Sequence, residues 1–210
     1  MNDYVNENEQ WDAIKLWWKK NGLPFFMVVT IGLAAGFGWR YWQSYQETHK
    51  QEASQLFDQF LSVQTEASDP TISDRIIDEL KKNYRHTVYT PLTALFEAKT
   101  AVEKNDLLKA TEKLQWALET AKPPELKQII RVRLARVLLA DKKPDQAMHL
   151  LEKIDSPGFS SIISQVKGDI YLAKNQTDSA RTAYQNALNT MPSSALKTYV
   201  DMQLNQLPVE

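Results

Sequence analysis

The apolar positions of this chain fall into two patterns. Over residues 23–42, LPFFMVVTIGLAAGFGWRYW, they run nearly unbroken, and no charged residue stands between Asn21 and Trp39. A helix rises about 1.5 Å per residue, so ~20 apolar residues cross the roughly 30 Å of a bilayer's hydrocarbon. Beyond Trp42 the apolar residues recur instead every three or four positions. Residues 45–67 carry a stripe of Ala53, Leu56, Phe57, Phe60, Leu61 and Val63, which predicts a helix continuing the first one outwards as a stalk. Ser68-Asp69-Pro70 should break it. Ile72, Ile76, Ile77, Leu80 and Tyr84 then mark a second helix, and Pro91, after a loop at 86–90, can start a third.

From Pro91 onwards the pattern itself repeats. In the clearest unit, 164–192, Gly168, Tyr171, Ala180, Tyr184, Ala187 and Pro192 match the tetratricopeptide spacing of small, aromatic, Ala, aromatic, Ala and Pro, with Asn175 in the turn. One unit upstream, Ala135, Leu138, Ala147, Leu151 and Ile154 hold equivalent places around the turn Asp141-Lys142-Lys143-Pro144. One further upstream, Ala98, Ala101, Ala110, Leu114, Ala117 and Leu118 do so around Lys104-Asn105-Asp106. Ala110, Ala147 and Ala180 lie about 37 and about 33 residues apart, bracketing the roughly 34 of such a unit. Small residues sit where the two helices of a repeat cross, and larger ones fill the gap to the next repeat. Pro123-Pro124 and Pro157-Gly158 separate the units. Past Pro192, Ser193 or Ser194 can cap a last helix bearing Leu196, Val200, Met202 and Leu204, and residues 207–210 read as a frayed end.

The expected architecture is all-α: one N-terminal transmembrane helix followed by a tetratricopeptide-like α-solenoid. Its expected divisions are a tail with a short amphipathic helix at 1–22, the span at 23–42, and a stalk with a degenerate first helix pair at 43–90. Three repeats at 91–192 and a capping helix with tail at 193–210 complete it. Composition agrees. Three of the six glycines lie inside the span (Gly32, Gly36, Gly38), leaving a glycine-poor remainder rich in helix formers. About 168 residues beyond position 42 suffice for one domain with a core. The absence of cysteine removes disulfides and thiolate chemistry. A net charge of −1 with no basic block argues against nucleic acid as a partner.

Residues 1–10 are polar and expected to be disordered. The following WDAIKLWWKK places Trp11, Ile14 and Trp18 on one helical face with Trp17 beside them, and Lys15, Lys19 and Lys20 elsewhere. Such a helix would lie at the membrane surface or dock a partner, and Gly22 and Pro24 would end it before the span. Trp17, Trp18, Lys19 and Lys20 on one side, and Trp39, Arg40, Tyr41 and Trp42 on the other, are the candidate interfacial residues. An acidic start and the lack of a cleavage site at the end of the apolar run count against a cleaved signal peptide. Lys15, Lys19 and Lys20 outnumber Arg40 and the more distant Lys50, which points to a cytoplasmic N-terminus and a C-terminal domain across the membrane. In a Gram-negative bacterium that is the periplasm. Gly32 and Gly36, with Gly38 nearby, form a small-residue face on which another helix could pack.

No enzyme chemistry is legible. His49, His86 and His149 are far apart, and no metal-ligand spacing, phosphate loop or nucleophile elbow occurs outside the span. The carboxylates alternate with lysine and arginine as on solvated helix faces, so neither metal nor cofactor is expected. A helical-repeat array works as a surface. Its concave face is lined by the first helix of each repeat, which projects onto Leu95, Lys99 and Val102, then Val132, Arg136 and Leu139, then Gln165, Asp169 and Leu172. Lys99 and Arg136, at equivalent positions, could meet a carboxylate or the carbonyls of an extended peptide whose apolar side chains rest on the aliphatics. Ordinary exposed helix residues are the alternative reading of the same set.

Glu7-Asn8-Glu9-Gln10, Lys19-Lys20-Asn21-Gly22, Gly38-Trp39-Arg40-Tyr41-Trp42-Gln43-Ser44 and Val132-Arg133-Leu134-Ala135-Arg136-Val137 together resemble the YfgM-type family, ancillary subunits of the SecYEG translocon in Gram-negative bacteria. The resemblance covers essentially the whole chain. It implies a single-pass inner-membrane protein with its N-terminus inside and a periplasmic tetratricopeptide-like domain. It also implies association with SecYEG and with a PpiD-type periplasmic chaperone, assisting newly exported, unfolded polypeptides, and a cytoplasmic link to a stress phosphorelay. Two other functions compete: a membrane-anchored scaffold of another envelope complex, and a regulator of an envelope-stress pathway acting through residues 1–22. Homo-oligomerisation through the span stays open.

Overall fold

The computed structural model describes residues 7–65, 70–191 and 195–208. Among them every regular element is helical. They are α1 (Glu7–Thr65), α2 (Pro70–Asn83), α3 (Tyr89–Glu103), α4 (Leu107–Thr120), α5 (Pro124–Ala140), α6 (Pro144–Glu152), α7 (Ser160–Ala173), α8 (Thr177–Thr190) and α9 (Ala195–Asn205), with one 3-10 turn at Pro157–Phe159 before α7. Residues to Glu52 form one unit and Ala53–Glu210 a second. The readings placed on residues 1–6, Ser68-Asp69, Pro192, the serines at 193–194 and residues 209–210 fall outside the described residues.

The first unit is helix throughout from Glu7. Two expectations are corrected here. Residues 7–10 are helical, and Gly22 and Pro24 do not end a short helix: α1 runs straight through both. A proline removes one i→i−4 hydrogen bond without forbidding the helix. At this turn the Trp18 ring lies over Gly22, and its centroid stands 5.5 Å from Phe25 and 5.8 Å from Phe26. The stretch that follows keeps its apolar side chains outward, with Val28 70% and Phe37 71% exposed. This is one helix long and apolar enough to cross a membrane.

The second unit is built of helix pairs. α3 packs on α4, α5 on α6 and α7 on α8, and the pairs join through α4 with α5, then α5 and α6 with α7. At its start Phe57 and Phe60 of α1 meet Phe96 of α3 edge-to-face, in one cluster with Ile76, Ile77 and Leu80 of α2. Thr90, fully buried, closes the end of α2 by donating its hydroxyl to the carbonyls of Leu80 (3.2 Å) and Tyr84 (2.7 Å). Glu97 of α3 then takes Lys81 of α2 at 2.8 Å and Lys113 of α4, while the Lys81 ammonium lies 5.3 Å from the Trp116 ring centroid. Burial works against the charge on Lys113, but the Glu97 carboxylate outweighs it and holds the lysine above its ordinary pKa.

The repeat pattern is a packing pattern. Ala98, Ala110, Leu114 and Ala117, then Ala135, Ala147 and Leu151, then Ala180, Tyr184 and Ala187 are all at most 2% exposed. The three turns share one geometry: Asn105, Lys142 and Asn175 adopt φ of 57°, 59° and 57°. The next amides, of Asp106, Lys143 and Gln176, donate to the carbonyls of Ala101, Leu138 and Tyr171, the bond of a Schellman C-cap. Asp106 also caps α4, accepting from the Lys109 amide at 3.0 Å.

At the far end α9 covers α8 with Val200, fully buried, and with Leu196 and Leu204. Met202, expected on that face, is instead 49% exposed. The supposed frayed end is anchored as far as the structure describes it. Leu207 is buried in the α8–α9 core, and Arg181 donates to the Pro208 carbonyl at 2.6 Å. Burying one leucine contributes about 1.5–3 kcal/mol toward ordering this short tail, and the Arg181 hydrogen bond adds to it.

Candidate interaction groove

The first helix of each pair turns one face to the groove side of the solenoid, and seven of the nine projected residues lie there. Two concavities result. The first, about 500 Å³, lies between α3 and α5 over a floor of Leu92, Leu95, Phe96 and Val137, with Lys99, Val102, Arg133 and Arg136 around it. The second, about 490 Å³, lies between α5, α7 and α9 and is lined by Arg136, Leu139, Gln165, Asp169, Leu196 and Tyr199. Arg136 borders both.

Of the nine residues projected from the repeat, Leu95, Lys99, Val102, Arg136, Leu139, Gln165 and Asp169 line these concavities. Val132 and Leu172 line neither. Leu95, Val132 and Gln165 are buried, so they cannot serve as freely presented contacts. For Val132 the offset arises because α5 is covered on both sides, and the position four residues before Arg136 faces the neighbouring helices. Gln165 acts through others. It accepts from Arg136 at 2.7 Å and donates to Asp169, whose other oxygen accepts from the Tyr184 hydroxyl at 2.8 Å. This line of polar groups ties α5, α7 and α8 together. Burial pushes the Asp169 carboxyl above the usual carboxylate range, with Tyr184 and Arg136 pulling partly against it. Burial and the Asp169 carboxylate likewise push the Tyr184 phenol up.

The groove residues that escaped the repeat projection include Leu92, Phe96, Arg133, Val137, Leu196 and Tyr199. Arg133 lies one turn from Arg136, and the i, i+3 rule applied to that residue would have found it. Leu196 and Tyr199 arrive with α9, and only the fold brings them beside α5.

The membrane candidates lie in the first unit. Gly32, Gly36 and Gly38 have open space where a Cβ would stand. Trp17, Trp18, Lys19, Lys20, Trp39, Arg40, Tyr41 and Trp42 are exposed, and the Trp39 and Trp42 rings lie 5.5 Å apart. Among the described residues no three His, Asp or Glu side chains come together as a metal site would need.

The fold defines a tetratricopeptide-like α-solenoid that follows one helix apolar enough to span a membrane. A family model described as tetratricopeptide repeat-like domain matches residues 15–209. The chain is 31% identical over its whole length, and the whole length of the relative, to a protein named ancillary SecYEG translocon subunit from Escherichia coli (strain K12). The protein of the same name from Haemophilus influenzae is 29% identical, with 97% of this chain and 98% of the relative covered. A solved structure of pilF from Pseudomonas aeruginosa shares the fold, with a TM-score of 0.55 at 19% identity over 73% of this chain and 68% of that one. The chain belongs to the tetratricopeptide repeat-like family that includes the ancillary SecYEG translocon subunits.

Proposed function

We propose that this protein is an accessory of the SecYEG translocon, held in the inner membrane by α1 with its N-terminus cytoplasmic and its solenoid periplasmic. There it docks a PpiD-type chaperone and takes hold of newly translocated, unfolded polypeptide. The observation that carries the reading is the apolar groove with cations at its edge, on a chain that matches ancillary translocon subunits from end to end. Tethering beside the channel exit raises the effective concentration of emerging chain, so weak contacts in the groove suffice. The open glycine face at Gly32 and Gly36 supplies the membrane contact, since close backbone approach is what small residues permit in lipid. No catalytic step is part of this role.

In-cell crosslinking, gentle detergent purification and mass spectrometry of wild type and Gly32→Leu/Gly36→Leu test it. Recovery of SecY and a PpiD-like chaperone, with both reduced in the double variant, is the expected result. Recovery of a different envelope complex in their place would overturn it in favour of a scaffold elsewhere. Lys99→Glu/Arg136→Glu should lower capture of unfolded polypeptide by the full chain, and unchanged capture would remove the groove from the mechanism.

A further inference from the structure

We propose that the concavity between α3 and α5 is a side-chain pocket that selects an apolar residue flanked by a carboxylate in an extended polypeptide. This rests on the groove reading above and adds to it a sequence preference. Two features of the cavity carry it.

The first is its floor. Leu92, Leu95, Phe96 and Val137 give it an apolar base, and about 500 Å³ falls within the roughly 300–1,000 Å³ of ordinary ligand pockets. An apolar side chain placed there loses water on most of its surface. The second is the imbalance of charge around it. Lys99, Arg133 and Arg136 stand against one acid, Glu103. Glu103 is itself 3.6 Å from Lys99, and both side chains are more than half exposed. Arg133 and Arg136 sit one turn apart on α5, so both reach the same stretch of a bound chain. Arg136 gives one guanidinium nitrogen to Gln165 and faces the Asp169 carboxylate beyond it, which orients the fork and leaves Lys99 and Arg133 as the main source of the surplus.

The occupant follows by complementarity. A segment with lysine beside its apolar residue would bring a like charge to a rim already carrying surplus positive charge. A segment with aspartate or glutamate there would pair with Arg133 and Arg136 while its apolar neighbour fills the floor. Because the cations are exposed, the preference should fade with salt.

Three fluorescein-labelled decapeptides of otherwise identical glycine-serine sequence provide the test, titrated by anisotropy against the full chain in detergent. One carries Phe-Asp at its centre, one Phe-Lys and one Ser-Asp. The Phe-Asp peptide should bind roughly tenfold tighter than either of the others, the sum of two modest surface ion pairs in one comparison and of one buried aromatic ring in the other. Lys99→Gln/Arg133→Gln, both exposed substitutions, leaves only Arg136 to meet the carboxylate and should cut the discrimination between Phe-Asp and Phe-Lys to roughly threefold while keeping that between Phe-Asp and Ser-Asp. Equal affinities for Phe-Asp and Phe-Lys, equal affinities for Phe-Asp and Ser-Asp, or no binding by any peptide would each overturn the proposal. Recovery of SecY in the crosslinking experiment together with equal peptide affinities would remove the preference and leave the translocon role standing.

Discussion

Gly168 and Tyr184 show how this solenoid accommodates a change of side-chain size. In the first two repeats the corresponding pairs are Ala98 with Leu114 and Ala135 with Leu151. In the third the small partner shrinks to glycine and the large one grows to a fully buried tyrosine. A Cβ on Gly168 would stand 2.4 Å from Tyr184 Cε1 and 2.5 Å from Cδ1, well inside contact distance. Gly168→Ala therefore forces the ring or the helix to move. Overpacking of this kind costs about 1–3 kcal/mol. A turned ring also gives up its hydrogen bond to Asp169, a charge-assisted bond worth about 1.5–3 kcal/mol. Alanine's better helix propensity returns about 1 kcal/mol. The net is a loss of about 1.5–5 kcal/mol, or roughly 3–20 °C in melting temperature. Thermal unfolding of the full chain in detergent, followed by circular dichroism at 222 nm, about the α-helical minimum, reads it directly. The companion variant Gly168→Ala/Tyr184→Leu rebuilds the pair of the other repeats and removes the clash, although it forfeits the phenol. It should be more stable than the sum of its single substitutions by at least about 1 kcal/mol. A Gly168→Ala protein melting at or above wild type, or strict additivity in the double variant, would refute the reasoning.

Two further outcomes follow from the repeat turns and the buried polar line. Lys142 holds a left-handed conformation at φ 59° that glycine adopts without steric cost. Lys142→Gly should raise stability by about 0.5–1 kcal/mol after the greater flexibility of the unfolded glycine is subtracted, measured as an increased urea midpoint with unchanged slope. Asp169 titrates above an ordinary aspartate because it is buried. A carboxyl raised in the folded state contributes most below its unfolded pKa, and that contribution is lost as pH rises through the folded value. Relative to Asp169→Asn, wild type should thus become progressively less stable as pH climbs from below 4 into the range above. Parallel urea titrations across that range check it, and a gap that is constant or moves the other way contradicts the buried-carboxylate account.

Much of the molecule was legible along the chain because its signals are local or periodic. An uncharged apolar run long enough for a bilayer needs no tertiary partner to be recognised. The recurrence of Ala98, Ala135 and Gly168, of Ala110, Ala147 and Ala180, and of the turn residues Asn105, Lys142 and Asn175 determined three stacked helix pairs in register, since each repeat packs only on its neighbours. The same register placed Lys99 and Arg136 on one face. Tertiary structure decided what periodicity cannot express. Leu207 is held because an open edge of α8 and α9 receives it. Val132 shares the spacing of the groove residues but is buried and lines neither concavity, while Leu95 and Gln165 lie buried in the groove's floor and wall. Arg136, Asp169 and Tyr184 meet through Gln165 across three helices. Spacing along a helix states which side chains point the same way. Whether water, a neighbouring helix or a partner lies in that direction depends on distant segments, and the packed structure alone brings them there.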